Sequence, residues 1–299
     1  MASNLWLAGD SDDHCYFNST FSIHMNNLRD YILAANAMPA IRSLFVVALP
    51  TSLSCVVYKA ARNSLGLQTP SWTTDGEFLN ADRFVLVSQA NADGNTKFTV
   101  EEQEPAVFKK ISEFLDQVVA SHGFAYKDVV QPFVVSQWLK KNLPPTLKVK
   151  RNIADVAYSM IIKNKWHYPK RLFPNIEPVE LAVIRGLLQA QEALDSIPGE
   201  EVDFDRLIED EGSLRSALTS LYGDSVRIKD PKYIDHKFRA RRDEVIGRRR
   251  TEEYAAILDF VNRAKESTSW HGFEWNTRSG FLRTLRIAMN RATGVHDRV

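Results

Sequence analysis

Cysteine is the scarcest reactive residue in this chain. Cys15 and Cys55 are the only two in 299 residues. That is too few for a disulfide framework or a four-cysteine zinc site, and such sparse use suits a reducing compartment. Thirteen glycines and twelve prolines exclude a collagen-like or linker-dominated chain. Long apolar runs are missing too. The longest uncharged stretch, Ser43 to Tyr58, is broken by Pro50, Thr51, Ser52 and Ser54. It falls short of the roughly 20 apolar residues that span a bilayer. The first residues carry no cationic segment ahead of an apolar one, so no secretory signal is read there. A protein without membrane contact, cytoplasmic or carried in a virion, is expected.

Catalytic signatures are equally scarce. Neither G-x-x-x-x-G-K-[ST] nor G-x-G-x-x-G occurs, so the common phosphate loops are missing. No G-x-S-x-G elbow appears. The seven histidines show no H-E-x-x-H or paired-ligand spacing. Asp10-Ser11-Asp12-Asp13 and Asp203-Phe204-Asp205 lack the glycine and closing glutamate of a calcium loop. The acids at 203 and 205 suit the start of a helix instead. The sequence therefore reads as a non-enzyme with no cofactor and no metal site.

What is present is helical periodicity. Phe21, Met25, Leu28, Ile32 and Ala35 follow the i, i+4, i+7 spacing of one helical face. Residues 39–48 and 52–64 read as two more apolar helices, with Gly66 placed to end the second. Arg83 to Ser88 and Thr96 to Val100 flank an Asp93-Gly94 turn, a hairpin signal. Helices are then expected from Pro105 to about 123, over 126–142, over 151–165, and from Pro178 to about Leu194. Shorter ones follow over 203–222, then two over 231–267 with a break near Gly247 and a fresh start at Thr251. The last covers 279–293. About ten helices and one hairpin, without α/β alternation, predict a mainly α fold. The expected organisation is an irregular arm over 1–20, a helical lobe over 21–145 containing the hairpin 83–100, and a second helical lobe over 146–299.

Net charge is +1, but the chain is strongly partitioned. Residues 1–107 hold 6 basic and 11 acidic residues, and residues 108–175 hold 12 and 4. Residues 176–226 reverse the sign with 3 and 12, and residues 227–299 reverse it again with 17 and 10. Such blocks either converge on a groove for a polyanion or neutralise one another within the fold.

Three basic clusters are candidate nucleic-acid contacts. The first holds Lys148, Lys150 and Arg151, then Lys163, Lys165, Trp166, Tyr168, Lys170 and Arg171. Cations neutralise phosphates and exposed rings stack on unpaired bases, a combination suited to single-stranded RNA. The alternative makes Trp166 and Tyr168 core anchors at a helix end. The second cluster holds Lys237, Arg239, Arg241 and Arg242, then Arg248, Arg249 and Arg250. On a helix, Lys237, Arg241 and Arg248 fall within about 40° of one another. Glu244 lies on the same stripe and weakens it. The third cluster is Arg283 and Arg286 on the terminal helix, opposite Phe281, Leu282, Leu285 and Met289.

The functional expectation is an RNA-binding, self-assembling protein of the nucleocapsid or coat kind. It would hold phosphate without reading sequence, and its binding would fall with salt. Copies would meet through arm 1–20 and the acidic segment 200–211. The competing expectation is a helical capsid-shell, scaffold or adaptor protein that assembles without touching nucleic acid. Arg248 to Arg250 also give a weak nuclear-localisation signal.

Overall fold

LFVVA, residues Leu44–Ala48, forms strand β1, and every one of its side chains is buried. A continuous apolar run of this length satisfies a strand covered on both faces. Beside it lie β2 (Ala125–Asp128), β3 (Thr146–Lys150) and β4 (Glu200–Asp203), in the order β2-β1-β3-β4. All three pairings are parallel. The structure is a computed structural model that describes residues 41–71, 73, 76–77, 98, 100–102, 105–119, 122–128, 132–176, 178–210, 212–223 and 241–266.

This sheet corrects the mainly α expectation. The chain is α/β, with helices on both faces of a parallel sheet. Strand β1 pairs directly with β3, on the other side of residue 145. Two of the four strands overlap segments that read as helix, and a third meets one only at its last residue. Residues 39–48 contain β1, residues 126–142 begin inside β2, and 203 closes β4. A short buried strand and a buried helix share the same unbroken apolar signal. The arm 1–20, the helices expected over 21–35 and 279–293, and the body of the hairpin 83–100 lie outside the described residues.

Helices flank the sheet in chain order. They are α1 (Ser54–Leu65), α2 (Pro105–Val119), α3 (Pro132–Asn142), α4 (Ile153–Tyr158), α5 (Val179–Asp195), α6 (Phe204–Glu209) and α7 (Gly212–Tyr222). Helix α8 covers 241–248, and α9 is Glu252–Glu266. A π-helical turn, Ser159–Lys163, extends α4, and a 3₁₀ turn covers Tyr168–Leu172.

Alternation along β1 divides the core. Phe45, Val47 and Leu49 pack with α2 to α5 and α9. Leu44, Val46 and Ala48 pack with α1, α6, α7 and Val245. Each fully buried leucine or valine contributes about 1.5–3 kcal/mol. Gly186 of α5 sits where an added Cβ would lie 2.3 Å from the Pro169 carbonyl oxygen, so only glycine lets α5 meet the 3₁₀ turn this closely. Gly66 ends α1 in the left-handed conformation, as its position predicts. Thr251 starts α9 as expected, its Oγ1 accepting from the Tyr254 amide.

No helix among the described residues is long and apolar enough to cross a membrane.

Candidate functional site

The strand order reverses beside β1. The chain leaves β1 towards β2 on one side and returns through β3 on the other. In parallel α/β sheets, the crevice beyond the carboxyl ends of two such strands is where ligands bind. Here that position falls between the 49–53 turn after β1 and Arg151 after β3.

The turn is built under strain. Thr51 and Leu53 both adopt left-handed φ, 62° and 56°, which costs a non-glycine residue about 1–3 kcal/mol. Leu53 occupies the cap position of α1, and no side chain caps the helix. Ser52 is 1% exposed. Its Oγ, together with Thr51 Oγ1, has no hydrogen-bond partner among the described residues. Arg151 reaches the turn from the end of β3. It donates through Nη1 to the Thr51 carbonyl and lies 4.6 Å over the Phe204 ring. Burial pulls its pKa down to about 10, against an upward push from Asp155.

Beyond Arg151 stands a set of ion pairs. Arg249 donates to Asp155, which is fully buried in α4, and to Asp205 at the start of α6. Arg248 lies 5.2 Å over the Tyr158 ring and donates to Ser159 Oγ at 2.9 Å. It also pairs with Glu244 at 2.7 Å. Lys163 reaches the same carboxylate at 3.1 Å, and Arg241 contacts it from the preceding turn of α8. Burial raises the Glu244 pKa, but hydrogen bonds from Arg241 and Lys163 outweigh it and hold the group down to about 2.

These contacts bring two cationic segments together from about 80 residues apart in sequence. Tyr158, Ile162, Lys163, Lys165, Glu244 and Arg248 line one open cleft. Lys165 is exposed, with a left-handed φ of 52°. Arg242 and Arg250 are exposed on the same short segment as Arg241 and Arg248.

Other candidates sit elsewhere. Lys148 and Lys150 occupy alternate positions of β3, on the α5 side of the sheet. Both pair with Glu201 of β4, at 2.9 and 2.8 Å, and Lys150 also pairs with Asp195. Trp166 and Tyr168 stack loosely, with centroids 6.1 Å apart, and pack against the larger core. Lys170 is exposed and Arg171 half-buried on the 3₁₀ turn. Lys237, Arg239, Arg283 and Arg286 lie outside the described residues.

The described part of the acidic segment 200–211 makes contacts within this chain. Glu201 meets the β3 lysines, Glu200 accepts from Ser220, Asp203 caps α6 and Asp205 holds Arg249.

Thr51, Ser52, Tyr158 and Asp155 were not singled out by sequence reasoning. The signal for the first two was a strand–turn–helix reading of LFVVALPTSLS, which a helical reading of 39–48 conceals. On the far side of the turn, Cys55 in the first turn of α1 accepts from Lys127 Nζ at 2.9 Å. Lys127 is fully buried and also pairs with Glu77. Among the described residues, no three histidine, cysteine or acidic side chains are grouped to hold a metal ion.

No protein-family model matches the sequence, and no curated protein matches it.

Proposed function

We propose that the chain binds nucleic acid, single-stranded RNA first, through the cleft between the α4 extension and α8. The observation that carries this reading is the meeting of Lys163, Lys165 and Arg248 along one open cleft, with Arg241 joined to them through Glu244. Four cations against Glu244 leave a surplus of positive charge. Arginine and lysine at such a wall neutralise successive phosphates. Nothing in the lining reads base edges specifically, so binding is sequence-tolerant.

The bridging glutamate shapes the prediction. Glu244 gathers the cations and also competes with phosphate for them. Affinity is then moderate for one cleft, and many clefts on one strand would add through avidity. Avidity of this kind suits an assembled, coat-like particle.

Size-exclusion chromatography of protein taken directly from cells, read at 260 and 280 nm, tests both parts. A large species with a high 260/280 ratio at low salt, lost at high salt, is expected. A monomer with a protein-like ratio at both salts contradicts the reading.

A further inference from the structure

We propose that the turn between β1 and α1 is a binding site for a small oxyanion, a phosphoryl group, held by Ser52, the first amides of α1 and Arg151. This goes beyond the RNA cleft, which is lined by α8 and the α4 extension, and does not depend on it.

Four observations converge on the turn. It lies where the strand order reverses, beyond the carboxyl ends of β1 and β3. It leads into the N-terminus of a twelve-residue helix with no acidic residue in its first turn and no side-chain cap. Amides at such an end point outward and favour negative charge. Within the turn, Ser52 is 1% exposed and its Oγ has no partner among the described residues. Against the turn lies Arg151, 8% exposed, whose Nε likewise has none.

The identity of the ligand follows from the donors. Guanidinium Nε and backbone amides only donate, and a hydroxyl can donate. Among the described residues, no carboxylate hydrogen-bonds Ser52 or Arg151. Asp155 and Asp205, whose charges act on Arg151, hydrogen-bond Arg249. Arg151 therefore contributes a buried positive charge whose one hydrogen bond among the described residues runs to a neutral carbonyl, that of Thr51. A tetrahedral oxyanion supplies several acceptor oxygens in different directions, which suits donors arriving from a turn, a helix end and a strand end.

The Arg151–Thr51 contact acts as a latch. The hydroxyl and Nε are closed to solvent while it is made, so the anion enters as the guanidinium parts from the carbonyl and takes the carbonyl's place.

Titrating the full chain with inorganic phosphate, against chloride at matched ionic strength, tests the site by thermal shift and calorimetry. Wild type should show a saturable rise in Tm. Arg151→Lys keeps the charge but loses the fork geometry, and should bind phosphate at least tenfold more weakly. Ser52→Ala removes a hydroxyl that makes no bond in the free protein, so its Tm without phosphate should equal or exceed the wild-type value. Its phosphate affinity should nonetheless fall severalfold. Competition with oligouridylate separates two sources of the group. Displacement of phosphate by a 5′-phosphorylated strand and not by its 5′-hydroxyl counterpart assigns the site to an RNA end, whereas displacement by neither assigns it to a free phosphorylated small molecule. No saturable response in wild type, or equal affinity in all three proteins, overturns the proposal.

Discussion

Arg249 holds Asp155 and Asp205 with one guanidinium, tying the wholly buried carboxylate of α4 to the start of α6. The segment 249–250 thereby anchors α8 and α9 against the carboxyl edge of the sheet. Without Arg249, the buried Asp155 would lose its ion pair and keep a hydrogen bond from Tyr254. Removing one partner of such a pair costs about 3–5 kcal/mol. Arg249→Met should therefore lower the unfolding free energy by about that amount in urea titration. Asp155→Asn should cost less, because Arg249 keeps Asp205. Equal small losses in both variants would show that the pair does not anchor this edge.

Glu244 predicts an acid response. Its folded pKa, about 2, lies below the ordinary value of 4.5, so the folded protein binds this proton less readily than the unfolded chain. The stabilisation is complete above pH 4.5 and is lost as pH falls towards 2. Glu244→Gln should flatten the loss of stability across that window in pH-dependent unfolding. At neutral pH the same variant should bind oligouridylate severalfold more tightly, because the cations of the cleft lose their internal competitor. Weaker binding would mean that Glu244 is needed to position them.

Cys55 is half exposed, and its sulfur accepts from the buried Lys127 ammonium at 2.9 Å. An adjacent ammonium and a helix N-terminus both favour the thiolate, the reactive form. Lys127→Met should slow alkylation of Cys55 by iodoacetamide at pH 7 by about tenfold. The rate in the unfolded protein should be the same for both sequences. An unchanged native rate would show that the contact does not activate the thiol.

Most helices were legible and the sheet was not. Pro178 marks the start of Val179–Asp195, and Thr251 caps Glu252–Glu266, so start signals and apolar spacing located both. The strands failed for separate reasons. Leu44–Ala48 is apolar on both faces, which erases the period-2 signal. Thr146–Lys150 does alternate, but its alternate residues are lysines, and KVKR reads as a surface cluster. Only the register with β4 reveals that Lys148 stands opposite Glu201. A long-range carboxylate partner of this kind is invisible in a local charge count. The cleft shows the reverse case: the clusters around Lys163 and Arg248 were visible, but their meeting depends on the fold. The 49–53 turn was missed because its meaning comes from the strand before it.

The salt dependence of oligouridylate binding, followed by fluorescence anisotropy, tests the central claim most directly. Wild type should lose affinity linearly on a log–log plot. A net surplus of three charges at the cleft predicts a slope of about −2, from roughly 0.7 per neutralised phosphate on a single strand. Lys165→Ala combined with Arg241→Ala should weaken binding at low salt and bring the slope close to −1, without changing Tm by more than a few degrees. An unchanged affinity and slope in the double variant would contradict the cleft as the nucleic-acid interface.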